Sequence, residues 1–102
     1  MKIIVIVIWN NWRYILINKI KALKIVRKNG QYLKRFPKYF KKDREIVIEA
    51  VKNDGFAIDD ADCKFLDDKK IAIEAIKNNR NTLLLLNRKL TTDKDILFLV
   101  GL

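Results

Sequence analysis

Three observations predict an all-α fold built from tandem units. The chain repeats itself with a period of 25 residues, so that DREIVIEAVKNDG at 43–55 returns as DKKIAIEAIKNNR at 68–80. Short polar residues that suit a helix start, Asn18, Asp43, Asp68 and Asp93, fall in register along that period. Apolar residues between them recur at spacings of three to five, which draws a buried stripe along a helix. The expected architecture is a single domain of four roughly 25-residue helix-turn-helix repeats, packed as a short solenoid or a compact helical bundle. Its units run 1–17 (partial), 18–42, 43–67, 68–92 and 93–102 (partial). Each unit needs a neighbour to bury its apolar face.

In chain order, IIVIVIW at 3–9 has high β-propensity, but 6–15 align with second-helix positions of later units, which favours helix over strand. The run is shorter than the about 20 apolar residues that span a membrane. Asn10, Asn11 and Arg13 interrupt it and no small-residue cleavage site follows, so it reads as mature structure. Asn18 then opens a helix, as do Asp43, Asp68 and Asp93, because such side chains accept from unpaired first-turn N–H groups. Gly30 and Gly55 stand twelve residues after their caps, where a left-handed glycine would close the helix. Arg80 replaces the third glycine, so strain falls on Asn78, Asn79 or Arg80, or that end closes differently.

Ile46, Ala50 and Val51 correspond to Ile71, Ala75 and Ile76, and to Ile96 and Val100 in the last unit. Ala50 and Ala75, with Ile25 before them, mark the expected closest helix approach, while Glu49, Lys52, Glu74 and Lys77 face water. After the glycine, Leu33, Phe36 and Phe40 match Ile58, Ala61 and Phe65, then Leu83, Leu86 and Leu90, as in a shorter partner helix. Pro37 should kink or split the first of these. TLLLLN at 82–87 is strand-like in composition, but its register makes it helical. ILFLVGL at 96–102 and IIVIVIW at 3–9 are apolar almost all round, so the ends fold on each other or meet a partner, a homodimer being one form.

The pattern Asp-Arg/Lys-Glu/Lys-Ile-x-Ile-Glu-Ala-Val/Ile-Lys-Asn, at 43–53 and 68–78, resembles a family of tandem short helical repeats, domain of unknown function four-one-one-six. The resemblance is good over 40–90, recognisable over 18–40 and partial from 91. It implies an all-helical repeat and brings no catalytic residue.

Catalytic chemistry finds little support. With no histidine, the commonest general base is missing. Cys63 has no histidine to activate it and stands where other units carry Lys38 and Arg88, which suits a packed or half-exposed thiol. The acidic runs Asp59-Asp60-Ala61-Asp62 and Asp67-Asp68 lack calcium-loop spacing and suit helix starts instead. Gly30, Gly55 and Gly101 are isolated, which excludes a phosphate loop. A non-enzymatic protein with no metal or cofactor is expected. The single cysteine points to a reducing, cytoplasmic setting.

Charge carries the functional signal. Residues 1–42 hold twelve Lys/Arg and no acid, whereas 43–102 hold ten Lys/Arg and twelve acids. Such segregation attracts an anionic partner: RNA, DNA, a nucleoprotein or an anionic membrane. The candidate contacts are Arg13, Lys19, Lys21, Lys24, Arg27, Lys28, Lys34, Arg35, Lys38, Lys41 and Lys42. The aromatic candidates among them are Trp9, Trp12, Tyr14, Tyr32 and Tyr39. Cations beside rings that stack bases suit single-stranded nucleic acid. The competing reading puts Phe36 and Phe40 in the core and makes the lysines a solvated face.

Three functions are weighed: a binder that occupies a nucleic acid or nucleoprotein surface, of which a phage-type (anti-CRISPR-like) inhibitor of an RNA-guided nuclease is one form; a protein–protein adaptor; and a membrane-surface protein using Trp9 and Trp12. One structural expectation is immediate. In urea denaturation, Asp68→Ala should cost about 1 kcal/mol as a lost cap, whereas Lys41→Ala should cost little.

Overall fold

The aspartate caps form as their register predicts. In the computed structural model, which describes residues 18–101, Asp43 accepts from the N–H groups of Glu45 and Ile46 at 3.1 and 3.3 Å. Asp68 accepts from Lys70 and Ile71 at 3.1 and 3.2 Å, and Asp93 from Asp95 at 2.9 Å. The α-helices are α1 (18–28), α2 (Lys38–Lys41), α3 (Arg44–Asn53), α4 (Lys69–Asn78), α5 (Arg88–Thr91) and α6 (Lys94–Leu99). Between them lie the 3-10 helices Gly30–Arg35, Gly55–Asp60, Cys63–Asp67 and Arg80–Leu85. The described residues contain no strand, so the fold is all-α.

Residues 18–42, 43–67 and 68–92 follow one path. A three-turn helix ends at a single extended residue, a 3-10 helix follows, a second extended residue breaks it, and one short helical segment leads to the next unit. The second segment is therefore two pieces rather than one helix. The break falls at Phe36, Ala61 and Leu86, all extended with ψ of 154, 168 and 155°. Pro37 marks it in the first unit, yet Asp62 and Asn87 do the same without proline. There the preceding unit's backbone holds the break: Asp62 N–H donates to Lys41 C=O at 3.0 Å, and Asn87 N–H to Leu66 C=O at 3.4 Å.

The helix ends differ from expectation. Neither Gly30 nor Gly55 is left-handed; Gly101 is the described residue with positive φ, at 83°. The chain instead turns at Asn29, Asp54 and Asn79, with φ of −148, −144 and −154°. Each closes the helix before it and caps the 3-10 helix after it, accepting from Gln31, Phe56 and Asn81 N–H. Arg80 consequently bears no strain.

Glycine is required for proximity. A Cβ on Gly30 would collide with the Ala50 carbonyl, and one on Gly55 would lie 2.6 Å from the Ala75 oxygen and 3.0 Å from Thr82 Cγ2. At the third position the neighbour is Val100 rather than alanine. There Arg80 Nη2 reaches across to Val100 C=O at 2.8 Å, so a side chain spans what the glycines close with backbone.

The core runs through the stack. Ile46, Ile71 and Ile96 are fully buried on one face of their helices, and Val47, Ala72, Val51 and Ile76 fill the next. Leu33, Phe40, Ile58, Phe65, Leu86 and Leu90 join them from the second segments. In α1 the first of these faces is open: Lys21, in register with the isoleucines, is exposed, and Ile25 is 38% exposed rather than at a close approach. Residue 18 is already helical, so Asn18 is not a non-helical cap like the aspartates. The readings of residues 3–9 lie outside the described residues.

Gly30→Ala should destabilise by about 1–3 kcal/mol, because backbone carbonyl cannot yield as a side chain does. Arg80→Ala should cost no more than about 1 kcal/mol, the worth of one hydrogen bond. Urea midpoints of the two variants check this; equal midpoints would contradict the close approach.

Candidate functional site

Two repeated devices join the units, and both consume polar groups that a sequence reader would leave on the surface. The first is an asparagine near the end of each inner helix. Asn53 Oδ1 accepts from Gly30 N–H at 2.7 Å while its Nδ2 donates to Arg27 C=O at 3.0 Å. Asn78 Oδ1 accepts from Gly55 N–H at 2.7 Å, and its Nδ2 donates to the carbonyls of Lys52 and Asn53 at 3.2 and 3.1 Å. The second is a cation at one register position of α1, α3 and α4. Lys19 meets Asp43 and Glu45 at 2.9 and 3.1 Å, Arg44 meets Asp68 at 3.0 Å, and Lys69 meets Asp93 and Asp95 at 3.2 and 2.6 Å.

These partners tune the charges. Asp43 and Glu45, accepting from the Lys19 ammonium, raise it above its ordinary value, and Asp95 and Asp93 do the same for Lys69. Asp68 is pushed up by partial burial, but the Arg44 guanidinium and the N–H groups of Ile71 and Lys70 outweigh that and hold it low. Lys69 holds Asp93 low. Asp60 moves the other way: burial and neighbouring Asp59 raise it, against the pull of Lys34 and Lys41.

The predicted contacts therefore divide. Lys19 and Arg27 are committed to joining units, Arg27 through Glu49 at 3.1 Å. Lys21, Lys24 and Lys28 lie exposed along α1, on the helix side that in α3 and α4 packs against the preceding unit. Lys34 and Arg35 are exposed on the 3-10 helix, Lys38 at the start of α2 and Lys42 just beyond its end, with Lys41, its last residue, half-buried. Arg13, Trp9, Trp12 and Tyr14 lie outside the described residues.

The aromatic residues form a row packed edge to face, Tyr32 on Phe36 at 5.7 Å, Phe36 on Phe40 at 5.6 Å and Phe40 on Tyr39 at 4.6 Å. Phe40 is buried and Phe36 half-buried, as their repeat positions predict. Tyr32 and Tyr39 remain 39% and 50% exposed at the two ends of the row.

Two surface recesses flank this row. One, of about 310 Å³, is lined by Lys38, Lys41, Lys42, Asp60, Ala61 and Asp62, and so mixes both signs of charge. The other, of about 340 Å³, is lined by Asn29, Gln31, Tyr32, Lys34 and Arg35, with no carboxylate. Cys63 is exposed. Asp59 and Asp60 end a 3-10 helix rather than start one, while Asp62 caps the next through Lys64 N–H at 3.0 Å. Among the described residues no group of His, Cys, Asp and Glu could hold a metal ion.

The fold and its surface thus define a basic all-α protein of stacked helical units. The chain belongs to the family described as Domain of unknown function (DUF4116), which matches it at residues 18–65 and again, displaced by about one unit, at 44–91. No curated protein and no solved structure matches the chain.

The carboxylates give a pH prediction of opposite signs. Asp68 has a folded pKa below its unfolded one, so its contribution is full above the carboxylate range and is lost as pH falls through the folded value. Asn still caps, so Asp68→Asn isolates the charge: it should lower the urea midpoint at pH 7, and the gap from the parent should close as pH falls. Asp60, shifted upward, costs stability when ionised, so Asp60→Asn should leave the midpoint at pH 7 equal or higher. The reverse ranking at pH 7 would contradict both assignments.

Proposed function

We propose that this protein is a non-catalytic binder that docks the surface of residues 18–42 on a nucleic acid or nucleoprotein and acts by occupying it. One observation carries the reading. Residues 18–42 hold ten Lys/Arg and no acid on the same backbone path for which 43–67 use three Lys/Arg and eight acids. Matching positions serve as internal controls. Lys34 stands where the other units have Asp59 and Leu84, Lys42 where they have Asp67 and Thr92, and Tyr39 where they have Lys64 and Lys89. All nine are exposed, so the fold does not demand these residue types.

Uncompensated cations on one surface are what phosphates seek, and they speed encounter as well as strengthen it. An inhibitor of an RNA-guided nuclease falls within this reading, as a protein whose partner is the bound RNA. A protein–protein adaptor is the second reading, favoured by Leu84 and Phe98, which are 87% and 86% exposed. No helix among the described residues is long and apolar enough to cross a membrane.

Fluorescence anisotropy with labelled oligonucleotides at rising salt tests the proposal. Affinity should fall with a log–log slope of about −0.7 for each phosphate neutralised on a single strand. Replacing Lys34, Arg35, Lys38 and Lys42 together by Gln should flatten that slope and weaken binding by at least about ten-fold, since several phosphate contacts would go at once. Absence of oligonucleotide binding at low salt would overturn it, and salt-independent capture of a protein that ignores the Gln replacements would favour the adaptor.

A further inference from the structure

The recess beside the aromatic row differs from the rest of the basic surface in its chemistry. It joins an exposed ring, two cations and two carboxamides, and its lining carries no acid. Tyr32 is held edge-on by Phe36 at 64°, which fixes the ring plane, and the Arg35 guanidinium carbon lies 5.6 Å from its centroid. Asn29 is oriented by accepting from Gln31 N–H at 3.2 Å through Oδ1, which leaves its Nδ2 to donate. The neighbouring recess at Lys38 offers comparable volume, but Asp60 and Asp62 line it and would repel a phosphate.

The repeat shows that this combination is not a packing requirement. Tyr32 corresponds to Ala57 and Thr82, both fully buried, so the backbone is satisfied by small residues that expose no ring. Arg35 corresponds to Asp60 and Leu85, and Gln31 to Phe56 and Asn81. The recess as a binding surface belongs to residues 29–35 alone among the three described units.

Resting on the nucleic-acid reading, we propose that this recess takes one unpaired nucleotide of a single strand. The base lies against Tyr32 and the Arg35 plane, its phosphate meets Lys34 and Arg35, and the amides of Asn29 and Gln31 reach the base edge. The volume is within the range of small-molecule sites. Stacking on a ring requires a base face, which a duplex hides in its own stack and a single strand offers at every position.

The test compares a labelled single-stranded RNA, the same sequence as single-stranded DNA, and the matched duplex, each bound to parent, Tyr32→Phe and Tyr32→Thr proteins. Threonine is what the unit at 68–92 carries there; Tyr32→Ala, with the residue of the unit at 43–67, substitutes for it if helicity by circular dichroism is lost. The expected result is a loss of roughly ten-fold or more for single strands with Tyr32→Thr, retention with Tyr32→Phe, and unchanged duplex affinity. The two single strands locate any further preference for the 2′-hydroxyl. If Tyr32→Thr leaves single-strand affinity unchanged, or weakens duplex and single strand alike, the nucleotide recess is wrong while the basic docking surface stands. If none of the three nucleic acids binds at low salt, both fall.

Discussion

Everything in the stack depends on one carboxamide placed between two units. A helix end leaves carbonyls without partners, and the 3-10 helix that follows begins with an N–H in the same condition. Asn53 and Asn78 satisfy both at once for the preceding unit, accepting from a glycine N–H and donating to the last carbonyls of the helix. For that side chain to reach, the next helix must come close enough that its Ala50 or Ala75 carbonyl excludes a Cβ on the glycine. Asparagine, alanine and glycine are thus one device spread across two units, and the pairing of each helical cation with the next cap aspartate repeats its spacing.

Much of this was legible in the sequence because the period is strict. Asp43, Asp68 and Asp93 were readable as caps, and Ile46, Ala50, Leu33 and Phe40 as core, since each recurs in register. The glycines were misread for a physical reason: left-handed closure is the commonest cause of a glycine after a helix, whereas here the cause is a contact some twenty residues further on. That contact cannot be seen in a local window. The break in the second segment was hidden likewise, because apolar offsets of three and four suit a continuous helix as well as two short pieces.

The candidate surface was legible as charge but not as geometry. Lys19 and Arg27 look like free cations in sequence, and the structure spends them on Asp43, Glu45 and Glu49. A signal for this existed: Lys19, Arg44 and Lys69 share one register position of the repeat, and recurrence of a charge at a repeat position marks structural use. The converse rule picks out Tyr32, Lys34 and Arg35, whose types change from unit to unit while the backbone does not. Function in a repeat protein sits where the units disagree.

Amide hydrogen exchange at Gly30 and Gly55 tests the inter-unit device most directly. Both N–H groups are held by a side chain from the following unit, so their exchange should require separation of units and approach the slow rates of helix-interior core amides such as Ala75 and Ile76. Exchange at both as fast as at exposed first-turn amides such as Arg88 would contradict the coupling of units through Asn53 and Asn78.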